Sequence, residues 1–364
     1  MRKKLYPVLL FVLAAAALLL LWQGGRVAAS TVQPDAGSLA LLPAQSNAIF
    51  GADLDGLRAT ALYGKWNAAH GQERDQHYNE FVAQTGFDPM RDVQGVTGAV
   101  WKDGEEGRAL VVVIAHYNPA SLSAFLKQHS EIATESYGGV ELFIPAKETA
   151  GKDYGAVAFL DDRTIIAGNA AAVRQALDRR INPSQSVLAN QALMARLNQI
   201  SIENQVWAVT GATADFIHAP VSTTTAPTLP TGPALTLPGL PVPAQLQANL
   251  TRIMSGVQNS TFAVNAATGL RLLAQATCAT EADAHTLAET GRGLLAMARL
   301  LAPANQPQAL QVLNSVNIEQ YGSDVKVTAQ ITPELLDQIA AGHEASALRQ
   351  AHPSRERESH RPRQ

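Results

Sequence analysis

The sequence predicts an α+β protein. Two tandem, related halves each carry antiparallel hairpins with helices packed on one face, and a hydrophobic N-terminal helix precedes them. Three observations predict this. A strand–turn–strand–helix pattern runs from Phe87 to Gln128. Similar patterns recur later in the chain in the same order. Short turns join strand to strand, which favours antiparallel over parallel pairing.

The Phe87–Gln128 unit sets the template. Val93, Val96, Val100 and Trp101 are β-formers, and Asp103-Gly104 with Gly107 supplies turn chemistry. Arg108–Ala115 is a continuous apolar run of strand length, rich in β-branched residues. It suits a strand buried on both faces. Asn118-Pro119 is a helix start, with Asn as the cap and Pro at the first helical position. Leu122, Phe125 and Leu126 then recur at helical spacing.

Three echoes make the case for duplication. Thr261-Phe-Ala-Val-Asn265 repeats Thr97-Gly-Ala-Val-Trp101, and Leu270–Cys278 repeats the apolar strand before a helix over Glu281–Leu301. Gly211-Ala-Thr-Ala-Asp-Phe-Ile217 repeats Gly51-Ala-Asp-Leu-Asp-Gly-Leu57, pairing Asp215 with Asp55. Gln320–Ile331 repeats the hairpin Phe159–Gly168, each followed by a helix, over Ala170–Arg180 in one case and from Pro333 in the other.

The chain divides accordingly. Residues 1–30 are a signal peptide or membrane anchor, 31–38 a tether, 39–200 the first repeat, 201–342 the second and 343–364 a disordered tail. Within the first repeat, Asn47–Leu57 reads as a strand and Ala59–Gln84 as a helical region. Tyr137–Ile144 is a turn and strand, and Ser186–Gln199 a helix. The second repeat carries a proline-rich insertion, 219–244, with Pro220, Pro227, Pro230, Pro233, Pro238, Pro241 and Pro243 and no charged residue. Proline at that density sustains neither a helix nor a central strand. The reading is an extended excursion, either a variable loop or a docking segment for a partner or the cell wall. A helix over Gln245–Ser255 follows. The Arg-, Glu- and Pro-rich end cannot bury a core.

Met1-Arg-Lys-Lys4 precedes Leu5–Trp22, an apolar run without charge. As a cleaved signal it would end at the small residues Val27-Ala28-Ala29, before Ser30. Uncleaved, residues 5–22 would anchor the chain in the cytoplasmic membrane. In both cases the basic start stays cytoplasmic and the body is exported to the periplasmic side. No cysteine follows the run, so a lipoprotein anchor is excluded.

Composition narrows the function classes. Hydrophobic content of 46% and charged content of 16% describe a chain with a sizeable core. A net charge of −3 and 5% aromatics give no footprint for nucleic acid. A single cysteine, Cys278, rules out a disulfide within the chain and sits in an apolar strand pattern. No cofactor motif is present: there is no Gly-x-x-x-x-Gly-Lys loop, Gly-x-Gly-x-x-Gly fingerprint, Gly-x-Ser-x-Gly elbow or Cys-x-x-Cys.

Two constellations could carry chemistry. His70, Glu73 and His77 share one face if Ala59–Gln84 is a continuous helix, and could converge on a metal. Their spacing is not the metalloprotease pattern, Gly71 weakens the helix there, and a solvated polar face is the favoured reading. Asp53 and Asp55 alternate on a strand, so both point to one face. They could bind a cation or share acid–base work, with His116 at a neighbouring strand end. The structural alternative is that they accept backbone N–H bonds at the strand end.

Leu41–Arg58, Gly86-Phe-Asp-Pro-Met-Arg-Asp92 and Tyr137-Gly-Gly-Val140 resemble a group of exported proteins of acidobacteria and related Gram-negative lineages. The resemblance covers mainly Leu39–Asp178. It implies an exported, duplicated α+β protein and no activity, so no functional residues are carried over. The expected function is a non-catalytic envelope protein acting as a binding or scaffolding module. The alternative is a periplasmic hydrolase with its site near Asp53, Asp55 and His116.

Overall fold

The computed structural model describes residues 35–70, 76–104, 106–128, 131–146, 154–200, 203–211, 256–302 and 307–339. The expected leader, the proline-rich insertion 219–244, the helix over 245–255 and the tail 343–364 lie outside the described residues.

The protein is α+β, built on one antiparallel sheet. Chain order gives α1 (Ala36–Leu41), β1 (Ala48–Asp53), α2 (Leu54–Arg58), α3 (Ala61–His70), α4 (Gln76–Thr85), α5 (Pro89–Asp92), β2 (Val93–Asp103) and β3 (Glu106–Ala115). Then come α6 (Pro119–Lys127), β4 (Ile132–Tyr137), β5 (Val140–Pro145), β6 (Gly155–Phe159), β7 (Thr164–Asn169), α7 (Ala170–Ile181) and α8 (Gln191–Leu197). The last elements are β8 (Val206–Thr210), β9 (Val257–Asn265), β10 (Leu270–Cys278), α9 (Glu281–Leu301), α10 (Pro307–Ser315), β11 (Asn317–Tyr321) and β12 (Asp324–Ile331), followed by a helical stretch at 333–339.

Among the described residues 12 strands form one sheet in the order β11-β12-β10-β9-β8-β1-β2-β3-β7-β6-β5-β4. Its centre is the β1–β8 pair, where Phe50 lies opposite Ala208. Outward on one side come a strand, its hairpin partner, and then a later hairpin entered through its second strand: β2, β3, β7, β6. Outward on the other side come β9, β10, β12, β11 in the same pattern. The hairpin β4–β5 extends the first wing alone.

Local chemistry accounts for the elements. The Asn118 side chain accepts from the N–H groups of Ala120 and Ser121 with Pro119 at the first helical position, as expected. Gly138 and Gly139 have φ of +57° and +80°, so a two-residue turn joins β4 to β5. Thr280 caps α9 by accepting from Asp283 N–H.

Helices cover both faces of the sheet, not one as expected. Side chains alternate along a strand, so Leu110 and Val112 of β3 point opposite to Val111 and Val113. Leu110 and Val112 pack with Leu39 and Leu41 of α1, Val173 and Leu177 of α7, and Leu193 of α8. Val113 packs with Leu54 and Leu57 of α2 and Leu122 of α6, and Phe81 of α4 joins them. On this second face of the other wing, Ala284 and Ala288 of α9 meet Val325 and Cys278. A run such as Arg108–Ala115, apolar on both sides, leaves half its surface wet unless both faces are covered.

Three further expectations change. The first strand ends at Asp53, because its carboxylate accepts the Gly56 N–H and starts α2. The helical region expected over Ala59–Gln84 does hold two helices, α3 and α4, with 71–75 outside the described residues. Ser186–Gln199 is a 3₁₀ turn at Val187–Ala189 and a short helix from Gln191, which Asn190 caps by accepting from Leu193 N–H. The folded part also opens before Leu39: Asp35 caps α1, and Ser38 is buried.

Two aromatic–glycine contacts pin the centre of the sheet. The Trp207 indole lies on Gly51, so close that a Cβ there would sit 2.4 Å from its ring. On the other face the Phe50 ring lies on Gly98, where a Cβ would meet it at 2.3 Å.

Candidate binding site

A recess of about 320 Å³ forms where the β4–β5 hairpin meets the C-terminal turn of α7. It is lined by Tyr137, Gly138, Val140, Leu177, Asp178, Arg180 and Ile181. The hairpin turn brings Tyr137 over α7, and the Tyr137 hydroxyl donates to the Asp178 carboxylate, 3.1 Å from each oxygen. That hydrogen bond, with some burial and the carboxylate charge, holds the phenol proton above its ordinary range. One turn earlier on α7, Arg174 clamps Glu135 of β4 at 3.0 and 2.6 Å and donates to the Tyr154 hydroxyl at 3.0 Å. The bond to Arg174 holds the Glu135 carboxyl below the usual carboxylate range. These contacts tie the recess wall to the helix. Ile181, 81% exposed, stands at the rim.

The recess has an apolar floor of Val140 and Leu177 and a polar rim of a phenol, a carboxylate and a guanidinium. That combination suits a small amphipathic group, such as a peptide side chain with its backbone amide, at the low end of ligand-site volumes. Sequence reasoning read Tyr137-Gly-Gly-Val140 as a turn and missed its partner. The pairing with Asp178 spans 41 positions and has no local signal.

The structure separates the residues proposed for acid–base work. Asp53 ends β1 and caps α2. Asp55 lies inside α2, so the two carboxylates do not alternate on one strand. Instead Asp55 accepts from Arg58 at 2.6 Å and from Gln94 at 3.2 Å. Arg58 also donates to the carbonyls of Met90 and Val93, so this group staples α2 to the start of β2. His116 follows β3 with its side chain exposed, and its backbone N–H donates to Asp92 O at 2.9 Å. Asp53, Asp55 and His116 thus lie at the same end of the sheet, with the Asp53 carboxylate engaged in the α2 cap and that of Asp55 in its contacts with Arg58 and Gln94.

Of the metal candidates, Glu73 lies outside the described residues. His70 is the last residue of α3. His77 is in the first turn of α4, 77% exposed by side chain and 3.9 Å from Glu80. Residues 71–75, which would have to join α3 to α4 for all three to share one face, lie outside the described residues. Among the described residues no group of three or more His, Cys, Asp or Glu side chains is placed to hold a metal ion.

Among the described residues no helix is long and apolar enough to cross a membrane. Cys278 is buried, and burial followed by the charges of Asp283 and Asp324 pushes its thiol up.

No protein-family model matches the chain, and no curated protein matches it. Among solved structures, crystal form III of TP0453 is similar at 12% identity over 85% of this chain and 98% of that chain, with a TM-score of 0.43. Crystal form I of TP0453 is similar at 10% identity over 86% of this chain and 99% of that chain, with a TM-score of 0.42.

Proposed function

We propose that this chain is an exported, non-catalytic binding or scaffolding module of the cell envelope, built from two copies of one α+β unit. The observation that carries the binding role is the recess between the β4–β5 hairpin and α7. An exposed isoleucine stands at its rim beside an ordered phenol–carboxylate pair. The apolar rim residue and the polar groups beside it are what a contact site of this kind would offer a partner.

The two-copy reading is supported by the strand order, which repeats outward from the β1–β8 pair. Register relates the two echoes with an offset. Gly51 lies opposite Thr97 and Val209 opposite Thr261, so the ladders equate Gly51 with Val209. That is two residues from the match in letters, which equates Gly51 with Gly211. The export role rests on the basic start and on Leu5–Trp22.

A photocrosslinking residue in place of Ile181, in the full chain expressed with its native leader, tests the binding role. The expected result is a discrete crosslinked envelope or cell-wall partner that Tyr137→Ala weakens. No product, or one indifferent to Tyr137→Ala, rejects it. Deleting residues 219–244 should leave the fold intact and reduce partner capture. Carbonate extraction of the same cells reads whether residues 5–22 hold the chain in the cytoplasmic membrane.

A further inference from the structure

The sheet ends at β4 on one side and at β11 on the other. An edge strand presents one N–H and one C=O on every second residue to any extended chain that comes alongside. The hairpin turns fix which residues those are. In β4, Tyr137 opposes Val140 across a two-residue turn, so Tyr137, Glu135 and Ala133 exchange bonds with β5. Ile132, Thr134 and Ser136 therefore aim their backbone groups away from the sheet. In β11, Tyr321 opposes Asp324, and the same logic turns Ile318 and Gln320 outward.

The two edges differ. At β11, Arg292 of α9 donates to the Ile318 carbonyl at 3.3 and 3.1 Å and so occupies that outward acceptor. At β4 no described residue bonds the outward backbone groups of Ile132, Thr134 or Ser136. The strand carries no proline, and its register with β5 runs without a bulge. Its one charge, Glu135, is held by Arg174 on the α7 face. Thr134 and Ser136 are exposed. The devices that usually guard an edge strand are missing at β4 among the described residues.

The side chains say what fits there. Directly opposed residues share a face, so a residue laid opposite Tyr137 would stand beside the recess and Ile181. That place suits an apolar side chain. On the same face Glu131 is exposed, and no described cation pairs with it, since Lys127 is held by Glu141 at 2.8 Å. A basic side chain suits that place. A second copy of this chain fits worse, because pairing β4 with itself sets acid against acid. Centred on Ala133 it opposes Glu131 and Glu135, and centred on Glu135 it opposes the two copies of that residue. Centred on Thr134 it places Glu131 opposite Tyr137, whose hydroxyl is bonded to Asp178.

We propose that β4 takes up an extended segment of another polypeptide as a further antiparallel strand. The segment bonds to the backbone of Ile132, Thr134 and Ser136, packs an apolar side chain opposite Tyr137 on Ile181, and sets a basic side chain opposite Glu131. The inference rests on the binding reading of the recess and names the class of its partner.

The probe is the peptide acetyl-Leu-Thr-Thr-Thr-Val-Thr-Lys-amide, which places its Leu opposite Tyr137 and its Lys opposite Glu131. It is added to the purified full-length chain, and amide hydrogen exchange is read at single residues. At saturating peptide, exchange at Ile132, Thr134 and Ser136 should slow about tenfold, while Ala133 and Glu135, bonded to β5 already, change little. Thr134→Pro removes one outward N–H without touching a β4–β5 bond, and should abolish the protection of Ile132 and Ser136. Thr134→Val keeps that N–H and should retain it. No slowing, or slowing that persists in Thr134→Pro, overturns the proposal. Protection of the same amides that grows with protein concentration in the absence of peptide would make a second copy the occupant, and also overturns it. The same variants separate this inference from the reading it rests on. Capture at Ile181 that survives Thr134→Pro overturns strand addition and leaves the recess as a contact site. Absence of capture in the wild type, with peptide protection intact, rejects capture in the envelope and leaves the edge site standing.

Discussion

Gly51→Ala should destabilise the protein by about 2 kcal/mol, and the structure says why. A Cβ at position 51 would lie 2.4, 2.6 and 2.9 Å from Cζ2, Cε2 and Nε1 of Trp207. Non-bonded carbon atoms rest at ~3.5–4.0 Å, so the overlap is about 1 Å with three ring atoms. The indole is 7% exposed and belongs to the core beneath α1, α7 and α8, which leaves it little room to slide. Overpacking of that kind costs roughly 1–3 kcal/mol, towards the upper end for a buried ring. Alanine recovers about 0.5–1 kcal/mol of backbone entropy relative to glycine.

The assay is urea unfolding followed by far-UV circular dichroism. With a slope of about 3 kcal/mol/M for a chain of this size, the midpoint should fall by roughly 0.7 M. Trp207→Phe in the Gly51→Ala background should recover more than half of the loss, giving a coupling energy of ~1 kcal/mol or more. A Gly51→Ala midpoint equal to wild type would refute the contact. So would strict additivity with Trp207→Phe. Gly64→Ala is the control: a Cβ there meets nothing within 4 Å on the exposed side of α3, so helix propensity should raise stability by ~1 kcal/mol.

The other predictions concern single side chains. Asp53→Ala removes the α2 cap bond to Gly56 and should cost about 1 kcal/mol by the same denaturation assay, with Asp53→Asn retaining most of it. Glu135 has its folded pKa below its unfolded one, so its pairing with Arg174 stabilises the fold above pH ~4.3 and is lost as pH falls through the lower folded value. Glu135→Gln should therefore flatten the acid limb of stability against pH in that window, by under about 1 kcal/mol because the pair is partly exposed. Cys278 should resist a thiol reagent in the native protein and react fully in denaturant, read by intact mass; rapid native labelling would contradict its burial.

The local architecture was legible in the chain itself. Asn118-Pro119 and Gly138-Gly139 act through bonds and dihedrals within a few residues, so a reader of letters finds the α6 start and the turn before β5. The apolar run of β3 announced a strand buried on both faces. The bounds of α9 agree with the Glu281–Leu301 expectation, since its cap and periodicity lie in one stretch. Asp53 accepts a backbone N–H at the strand end, as the structural alternative had it, but the strand expected to run on to Leu57 was misread because the same Asp can end a strand or start a helix. The choice falls to whether Gly56 N–H turns back to its carboxylate.

What only the tertiary structure decided is which distant residues meet. The β1–β8 pair joins segments some 160 positions apart and turns two sets of hairpins into one sheet. Placing Trp207 on Gly51, Tyr137 on Asp178 and Arg58 on the carbonyls of α5 and β2 follows from strand order and register. The physical reason is range. Turn and cap preferences are set by neighbouring atoms and are written in short words of sequence. Strand pairing and the recess depend on which apolar faces bury one another most completely, a property of the whole chain.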